Sequence, residues 1–188
     1  MSSPVLSILT PAVLTRLDAL GGLCVKIERL SAGLPVEHLV LIDNKKRTVG
    51  EKRDALLRMS QGDYVAFVDD DDDISDEYVS EILNATRSGK DVITFSQRAS
   101  VNGTTAEIEF KLGNANEPFH AGVVKRNAWH VCAWKRWLAI QSHFPAVNYG
   151  EDWAFAEPLC NIATSSEHID KVLHFYRHDA MKTEAPPP

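Results

Sequence analysis

The sequence predicts an α/β domain with a mostly parallel sheet flanked by helices, followed by a smaller α+β half. Over residues 1–100, short apolar strands alternate with segments of helical periodicity, as in repeated βα units. A Gly-Asp turn signal introduces a short apolar strand that ends in five consecutive aspartates. Near residue 102 an Asn-Gly pair predicts a hairpin, and at this point the repeated βα units give way to a mixed α+β pattern. We therefore expect a single domain over 1–180, with halves 1–100 and 101–180, and a disordered tail at 181–188.

Composition narrows the class of protein. The 188 residues are 44% hydrophobic and 24% charged, which is typical of one globular domain. The net charge of −6 argues against a surface that mainly binds nucleic acid or anionic lipid. No apolar run approaches the roughly 20 residues of a membrane span, and the N-terminus lacks a signal peptide, so we expect a soluble cytoplasmic protein. Cys24, Cys132 and Cys160 suit reduced thiols better than a disulfide or a zinc site.

The predicted elements of the first half follow in order. The strands are Val5–Leu9, closed by Thr10-Pro11, then Val36–Ile42, Tyr64–Val68 and Val92–Ser96, and the helices cover Val13–Leu30, a segment that begins at Thr48 and ends before Gly62, and Asp76–Ser88. Thr48 and Glu51 have the spacing of a capping box. Ser75 is the expected N-cap of the third helix.

The second half has fewer regular signals. Asn102-Gly103 predicts a hairpin whose second arm is Thr104–Leu112. Helices are predicted over Asn127–Ile140 and from Glu151 onward, although Pro158 must kink the latter or lie in its first turn. Lys171–Arg177 is predicted to be the final strand.

The aspartate run indicates a cation site. Neighbouring unpaired carboxylates repel by about 1 kcal/mol at 4 Å in water and by about 4 kcal/mol at an effective dielectric near 20. In an extended backbone Asp69 and Asp71 converge while Asp70 points away. Hard ions such as Mg²⁺ and Mn²⁺ prefer carboxylate oxygens, and ligands of open α/β sheets bind at the carboxyl ends of strands. The alternative is a solvated acidic loop, and Asp72 and Asp73 are assigned to the dipole of the following helix.

Two cations occupy an unusual position. Lys52 and Arg53 fall in the first turn of the predicted second helix, where positive charge opposes the helix dipole. A bound diphosphate explains this placement, and solvent-facing cations explain it equally well.

These segments together resemble the family 2-like glycosyltransferases of the GT-A fold. The resemblance is carried by residues 6–11, the strand ending Leu41-Ile42-Asp43, residues 52–55, the stretch from Gly62 to Asp71, and Gly150-Glu151-Asp152. It implies transfer of a sugar from a nucleotide diphosphate to an acceptor hydroxyl, with residues 1–100 as the nucleotide-sugar half and 101–180 as the acceptor half. One departure is Ala12-Val13-Leu14, which stands where the family carries a Tyr-Asn or similar pair.

The resemblance also implies residue roles. Thr10 and Pro11 would border the nucleotide, Asp43 would hydrogen-bond the base, and Arg53 would lie near the nucleotide or diphosphate. Asp69 would contact the ribose and a Mn²⁺ or Mg²⁺ ion, Asp70 would belong to the same nucleotide-binding segment, and Asp71 would ligate the metal. Asp152 matches the catalytic base of an inverting enzyme, and His178 resembles a late histidine that completes the metal shell.

Each of these roles has a simpler competitor. Asp152 also suits a favourable charge at a helix N-terminus, and Glu151 an acceptor contact. The alternative for His178 is that it is an exposed polar residue. In that case His174 or His168 would take its place as the metal ligand. Four tryptophans divide in the same way: Trp134 and Trp137 are expected in the core, and Trp129 and Trp153 are candidates for the acceptor site.

The preferred hypothesis is a metal-dependent, inverting glycosyltransferase that uses a nucleotide-diphosphate sugar, with UDP-sugars favoured. The acceptor stays open among a glycan, a lipid, a protein and a modified nucleic acid. A nucleotidyltransferase is an alternative, because paired carboxylates also serve two-metal phosphoryl chemistry. A non-catalytic module that binds nucleotide and metal is the other.

Overall fold

Residues 3–178 are described by a computed structural model in which nine strands form one sheet with helices on both faces. The strands are β1 Leu6–Val13, β2 Val36–Asp43, β3 Tyr64–Phe67, β4 Asp73–Ile74, β5 Val92–Val101, β6 Thr104–Phe110, β7 Gly122–Arg126, β8 Ala133–Lys135 and β9 Ser166–His178. The helices are α1 Leu17–Ser31, α2 Val49–Met59, α3 Tyr78–Thr86, α4 Arg136–Ala139 and α5 Glu151–Ile162, and a 3₁₀ turn spans Leu14–Arg16.

The sheet is ordered β2-β1-β3-β8-β5-β6-β7, with β9 paired to β5 and β4 paired to β9. Strand β1 is parallel to both β2 and β3. Strand β8 lies antiparallel between β3 and β5, and so joins the first strands to the second half of the chain. The α/β class is therefore confirmed, and the carboxyl ends of β1, β2 and β3 meet at one edge.

Apolar side chains form a core on each face of the sheet. One cluster includes Leu23 and Ile27 of α1 and Tyr78 of α3. The other includes Leu56 of α2 and Phe155 of α5. Because α2 and α5 share a face, the N-termini of these helices can approach each other beside the edge where β1 and β3 end.

Local sequence signals fixed several boundaries correctly. Thr48 caps α2, its side chain accepting from the Glu51 amide while the Glu51 carboxylate accepts from the Thr48 amide. Asn102 and Gly103 join β5 to β6 with φ of 48° and 84°, as a two-residue hairpin requires. Gly62 follows α2 and donates to Ser7 Oγ over 2.8 Å. A β-carbon there would lie 2.7 Å from the Ser7 amide nitrogen, so this close approach requires glycine.

Other boundaries differ from the predictions. Strand β1 continues through Pro11, because β3 pairs with β1 only as far as Leu9 and the missing N–H falls beyond that pairing. Helix α3 has no side-chain cap, and its N-cap is Glu77 rather than Ser75. The predicted tail at 181–188 lies outside the described residues.

The predicted helix over Asn127–Ile140 is wrong for most of its length, since only Arg136–Ala139 is helical. Its centre is the short strand β8, where Trp134 is fully buried between β3 and β5. Tertiary packing therefore overrides the helical spacing of the apolar residues. Burial of Trp134 is confirmed, whereas Trp137 is 56% exposed and does not belong to the core.

Disulfide bonds and membrane-spanning helices are both absent from the part of the chain that the structure describes. Cys24, Cys132 and Cys160 are free thiols, as predicted. Within residues 3–178, no helix combines the length and the hydrophobicity needed to cross a membrane.

Candidate functional site

Two adjoining cavities lie where β1 and β3 end. The larger has a volume of about 440 Å³ and the smaller about 140 Å³. Four residues border both cavities: Arg16, Val49, Asp69 and Asn148. The aspartate run after β3 therefore stands between them, as the position of a site at the carboxyl edge of the sheet requires.

The smaller cavity is rich in cations. Its wall includes Pro11 from β1 together with Lys45, Arg47 and Lys52. The Lys52 side chain is buried and donates to the Ala12 carbonyl over 2.9 Å, so it is not a solvent-facing cation. This cavity offers a positively charged environment for an anionic ligand.

Two residues predicted to contact the nucleotide have other partners. Thr10 is fully buried, with its hydroxyl 2.9 Å from Nε2 of His38, and it does not line either cavity. Asp43 ends β2 and accepts from the amides of Lys45 and Arg47 over 3.1 and 2.8 Å. It also accepts from Lys52 over 3.3 Å. Asp43 therefore orders the cationic loop, and its contact with a base stays a prediction.

Arg53 joins the aspartate run to helix α5. Its Nη2 donates to both carboxylate oxygens of Asp69 over 2.6 and 2.8 Å, and its Nη1 donates to Glu151 over 2.5 Å. The side chains of Arg53 and Glu151 are only 4% and 6% exposed. Burial acts to raise the pKa of Asp69, but the Arg53 guanidinium outweighs it and holds that pKa below its ordinary value. Arg53 thus spans the site between the first half of the chain and α5.

Arg16 forms ion pairs with the next two carboxylates. Asp70 is buried and accepts from the Val13 amide over 2.9 Å and from Arg16 over 2.7 Å. The Asp71 carboxylate lies 3.0 Å from Arg16 and is 38% exposed, which makes it the more accessible of the two. Partial burial and the charges of Asp69 and Asp70 raise the pKa of Asp71, despite the attraction of Arg16.

Asp72 does not occupy the exposed position expected of a helix-dipole residue. Its side chain is 5% exposed and lies 3.4 Å from Nε2 of the buried His174, without forming a hydrogen bond. Burial and the charges of Asp69 and Asp71 raise the pKa of Asp72 well above its ordinary value. Asp73, by contrast, is exposed and pairs with Lys26 over 2.8 Å.

The donor chemistry fits a hard divalent cation. Asp69, Asp71, Asp72 and His178 all line the larger cavity. Burial first, and then the charges of the neighbouring carboxylates, raise the pKa values of Asp71 and Asp72, and a cation would relieve the repulsion between these carboxylates. Among the described residues no three His, Cys, Asp or Glu side chains already enclose a metal position. Asp71 and Asp69 are the residues that would hold such an ion, with His178 as a further donor.

Helix α5 brings two carboxylates to the same cavity. Gly150 precedes the helix with a φ of 77°, and Glu151 and Asp152 lie in its first turn. Burial raises the pKa of Glu151 to about 6, although Arg53 acts in the opposite direction. Asp152 lines the cavity, and its carboxylate accepts from the amide of Trp153 over 2.8 Å. Asp152 is thus the less constrained carboxylate of the pair.

Arg16, His130 and Asn148 are among the residues of the site that sequence reasoning missed. Arg16 borders both cavities, His130 lines the larger one, and Asn148 accepts from the Val49 amide at the start of α2 over 3.0 Å. Arg16 and Asn148 carry no local signal, because their partners are distant in sequence. The only available signal for His130 was its position next to Trp129 in an apolar segment.

Comparison with known proteins agrees with this geometry. The family model described as Glycosyl transferase family 2 matches residues 30–144, more than half of the chain. The structure of S. aureus TarS 1–349 superposes with a TM-score of 0.65 at 16% identity, covering 92% of this chain and 60% of that one. Its complex with UDP superposes with a TM-score of 0.62 at 18% sequence identity, covering 92% of this chain and 60% of that one. Its complex with UDP-GlcNAc superposes with a TM-score of 0.60 at 16% sequence identity, covering 96% of this chain and 59% of that one.

The chain spans about 60% of the length of these TarS structures. A comparison of the sequence with curated proteins found no significant match. At such low identities the structural similarity establishes the GT-A fold, while the family match covers β2, α2, β3 and the aspartate run. The chain is therefore a glycosyltransferase domain that belongs to glycosyl transferase family 2.

Proposed function

We propose that the chain transfers a sugar from a UDP-sugar donor to an acceptor hydroxyl, with a divalent metal ion and with inversion at the anomeric carbon. One observation carries this proposal: Asp69, Asp71 and Asp152 line a single cavity that adjoins a smaller, cationic cavity. This arrangement suits a ligand whose nucleotide lies in the smaller cavity and whose sugar lies in the larger one.

Charge supports the placement of the nucleotide diphosphate. Lys45, Arg47 and Lys52 line the smaller cavity, and Arg16 borders both. A diphosphate at the boundary would be attracted by these cations, which steer and bind phosphate groups. The complexes of S. aureus TarS with UDP and UDP-GlcNAc support a uridine donor here by similarity of fold.

The acceptor step needs a base on the opposite side of the sugar from the leaving diphosphate. In the proposed reaction Asp152 takes the proton of the acceptor hydroxyl, and the acceptor oxygen forms a bond to the anomeric carbon. The bond from that carbon to the diphosphate oxygen breaks, and UDP leaves with the electron pair. A single displacement of this kind inverts the anomeric configuration, and a positioned general base contributes roughly 10²- to 10⁴-fold to its rate.

The aspartate run provides the anionic side of the metal site. When a Mn²⁺ or Mg²⁺ ion is bound, it would supply positive charge for the leaving diphosphate. Asp71 and Asp69 would hold it, and Arg53 keeps the Asp69 carboxylate ionised and fixed in orientation. Arg16 adds a second positive charge beside Asp71.

A donor screen tests this function. The protein is incubated with UDP-glucose, UDP-galactose, UDP-GlcNAc or GDP-mannose, with and without Mn²⁺, and nucleotide release is measured. We expect UDP release from one UDP-sugar, dependent on Mn²⁺.

In Asp152→Asn, turnover should fall by roughly 10²- to 10⁴-fold while UDP affinity stays within about twofold, because the carboxylate acts mainly in the transition state.

Asp170→Asn is the matched control, since it makes the same change at an exposed position of β9. It should retain full turnover. Release of a sugar 1-phosphate in place of UDP would support a nucleotidyltransferase, because transfer of the nucleoside monophosphate breaks the bond between the two phosphates and leaves the sugar phosphate behind. Binding of UDP without any turnover of the donors would support a non-catalytic module, and near wild-type turnover in Asp152→Asn would remove Asp152 as the base.

A further inference from the structure

An aromatic pair lies beside Asp152, and one of its two rings, that of Trp129, lines the larger cavity. Trp153 follows Asp152 in the first turn of α5, and its ring centroid is 5.7 Å from that of Trp129, with the ring planes inclined by 51°. Trp129 lines the cavity, and Trp153 is 40% exposed. The two rings thus present apolar surface next to the proposed base.

His130 adds an unsatisfied polar group to this surface. Its ring centroid is 6.3 Å from that of Trp129, and the residue lines the same cavity while being only 8% exposed. Its Nδ1 is buried and has no hydrogen-bond partner among the described residues. Buried polar atoms nearly always have partners, so this nitrogen is suited to bind a polar group of a ligand.

The combination of ring faces and a buried hydrogen-bonding group matches the chemistry of a sugar ring. A pyranose presents an apolar C–H face to aromatic surface and hydroxyl groups at its edge. A lipid chain would leave the His130 nitrogen and the Asp152 carboxylate without polar partners, at a desolvation cost. A nucleic acid would bring phosphates close to Glu151 and Asp152 on a chain whose net charge is −6.

We propose that Trp129, Trp153 and His130 form a binding subsite for a sugar ring of the acceptor, and that the acceptor is therefore a carbohydrate. This inference rests on the proposed function, which leaves the acceptor class open. The subsite places the acceptor beside Asp152, where one of its hydroxyl groups meets the base.

Direct binding of simple glycosides tests the subsite without requiring turnover. Methyl glycosides of glucose, galactose, mannose and N-acetylglucosamine are titrated into the whole protein, with and without UDP and Mn²⁺, and followed by saturation-transfer NMR. We expect at least one glycoside to bind. Trp153→Ala should weaken it by about three- to tenfold through loss of aromatic contact. His130→Phe should weaken it by a similar factor, because the ring shape stays and the hydrogen bond is lost.

Trp137→Ala is the matched control, because Trp137 is an exposed tryptophan of α4, whereas Trp153 lies in α5 against Trp129. It should bind glycoside like the wild type. Since Trp153 is exposed, Trp153→Ala should fold even if His130→Phe does not, and thermal unfolding checks both variants.

Equal glycoside affinity in wild type and Trp153→Ala would overturn the subsite, as would the absence of binding by every glycoside. Oligothymidine or a phospholipid vesicle that binds in a Trp153-dependent manner, while the glycosides do not, would also overturn it in favour of another acceptor class. Failure of UDP to bind would count against the proposed function. The glycoside titrations without UDP test the subsite independently of the proposed function, because they do not require nucleotide to bind.

Discussion

Within the run Asp69–Asp73, each carboxylate meets a different set of partners. Asp69 is held by Arg53, Asp70 by Arg16 and the Val13 amide, and Asp71 is the accessible one beside Arg16. Asp72 is buried beside His174. Identical side chains therefore have distinct roles that depend on which element each one faces. The run is not extended as expected, because the Asp72 amide donates to the Asp69 carbonyl over 3.1 Å and closes a turn. This turn brings Asp69, Asp71 and Asp72 to the larger cavity, whereas Asp70 does not line it.

Asp71 is the residue for which the metal role makes a sharp prediction. Asp71→Asn removes a charged, accessible ligand, so the increase in UDP affinity on adding Mn²⁺ should fall by about tenfold or more. Isothermal titration with UDP, in Mn²⁺ and in EDTA, measures the increase. Asp73→Asn carries the same charge change on an exposed carboxylate that pairs with Lys26, and it should leave the increase intact. Metal-independent UDP affinity in the wild type would contradict the metal role.

At the scale of elements, α2 is the hub of the site. Its first turn is tied to the segment before α5 by the bond from the Val49 amide to Asn148. Its Arg53 side chain bonds both Glu151 and Asp69. A β-carbon on Gly50 would collide with the Pro145 carbonyl, so the two segments pack backbone against backbone. The helix therefore fixes the distance between the aspartate run and the start of α5.

Removing the buried cation of α2 should destabilise the protein strongly. Arg53→Met leaves the buried Glu151 carboxylate without its partner, at an expected cost of about 3–5 kcal/mol in the free energy of unfolding. Urea denaturation at neutral pH measures this. Adding Glu151→Met to Arg53→Met should recover part of the loss, because the second change removes the unpaired charge.

Arg29→Met is the comparison for this prediction, since Arg29 and Asp76 form an exposed pair, 60% and 71% accessible. Breaking it should cost less than about 1 kcal/mol. A loss at Arg53 no larger than the loss at Arg29 would show that the buried cluster does not hold α2 and α5 together.

At the scale of the whole molecule, burial keeps three histidines neutral. Burial lowers the pKa of His38 to about 4, of His130 to about 3 and of His174 to about 4. Their ordinary value is 6.5, so the unfolded chain binds more protons than the folded one between that pH and the lowered values. The stability that these residues provide is complete above pH 6.5 and is lost as the pH falls below it.

His38 provides the test of this pH dependence, because it lies outside both cavities. His38→Gln can keep a hydrogen bond to the Thr10 hydroxyl but does not titrate. The slope of unfolding free energy against pH should then decrease by at most about 1.4 kcal/mol per pH unit between pH 6 and 4.5. Urea denaturation at a series of pH values gives the slope. An unchanged slope would mean that His38 is protonated as easily in the folded protein as in the unfolded chain.

The sequence by itself determined the features that depend on neighbouring residues. The capping box at Thr48, the Asn102-Gly103 hairpin and the strand that leads into Asp69 are local, because their backbone conformation is set within a few residues. The family resemblance was equally readable, since its motifs are short segments, and the match over residues 30–144 confirms it.

Only the tertiary structure decided which side chains meet. Arg53 and Glu151 are 98 residues apart in sequence, Val49 and Asn148 are 99 apart, and Arg16 and Asp70 are 54 apart. The helical spacing around Trp134 likewise gave way to strand pairing with β3 and β5, because burial in the sheet outweighs local propensity. Long-range packing thus determined the partners of the charged side chains. The local sequence places a charged side chain on a helix or strand, but it does not determine which distant residue that side chain will meet.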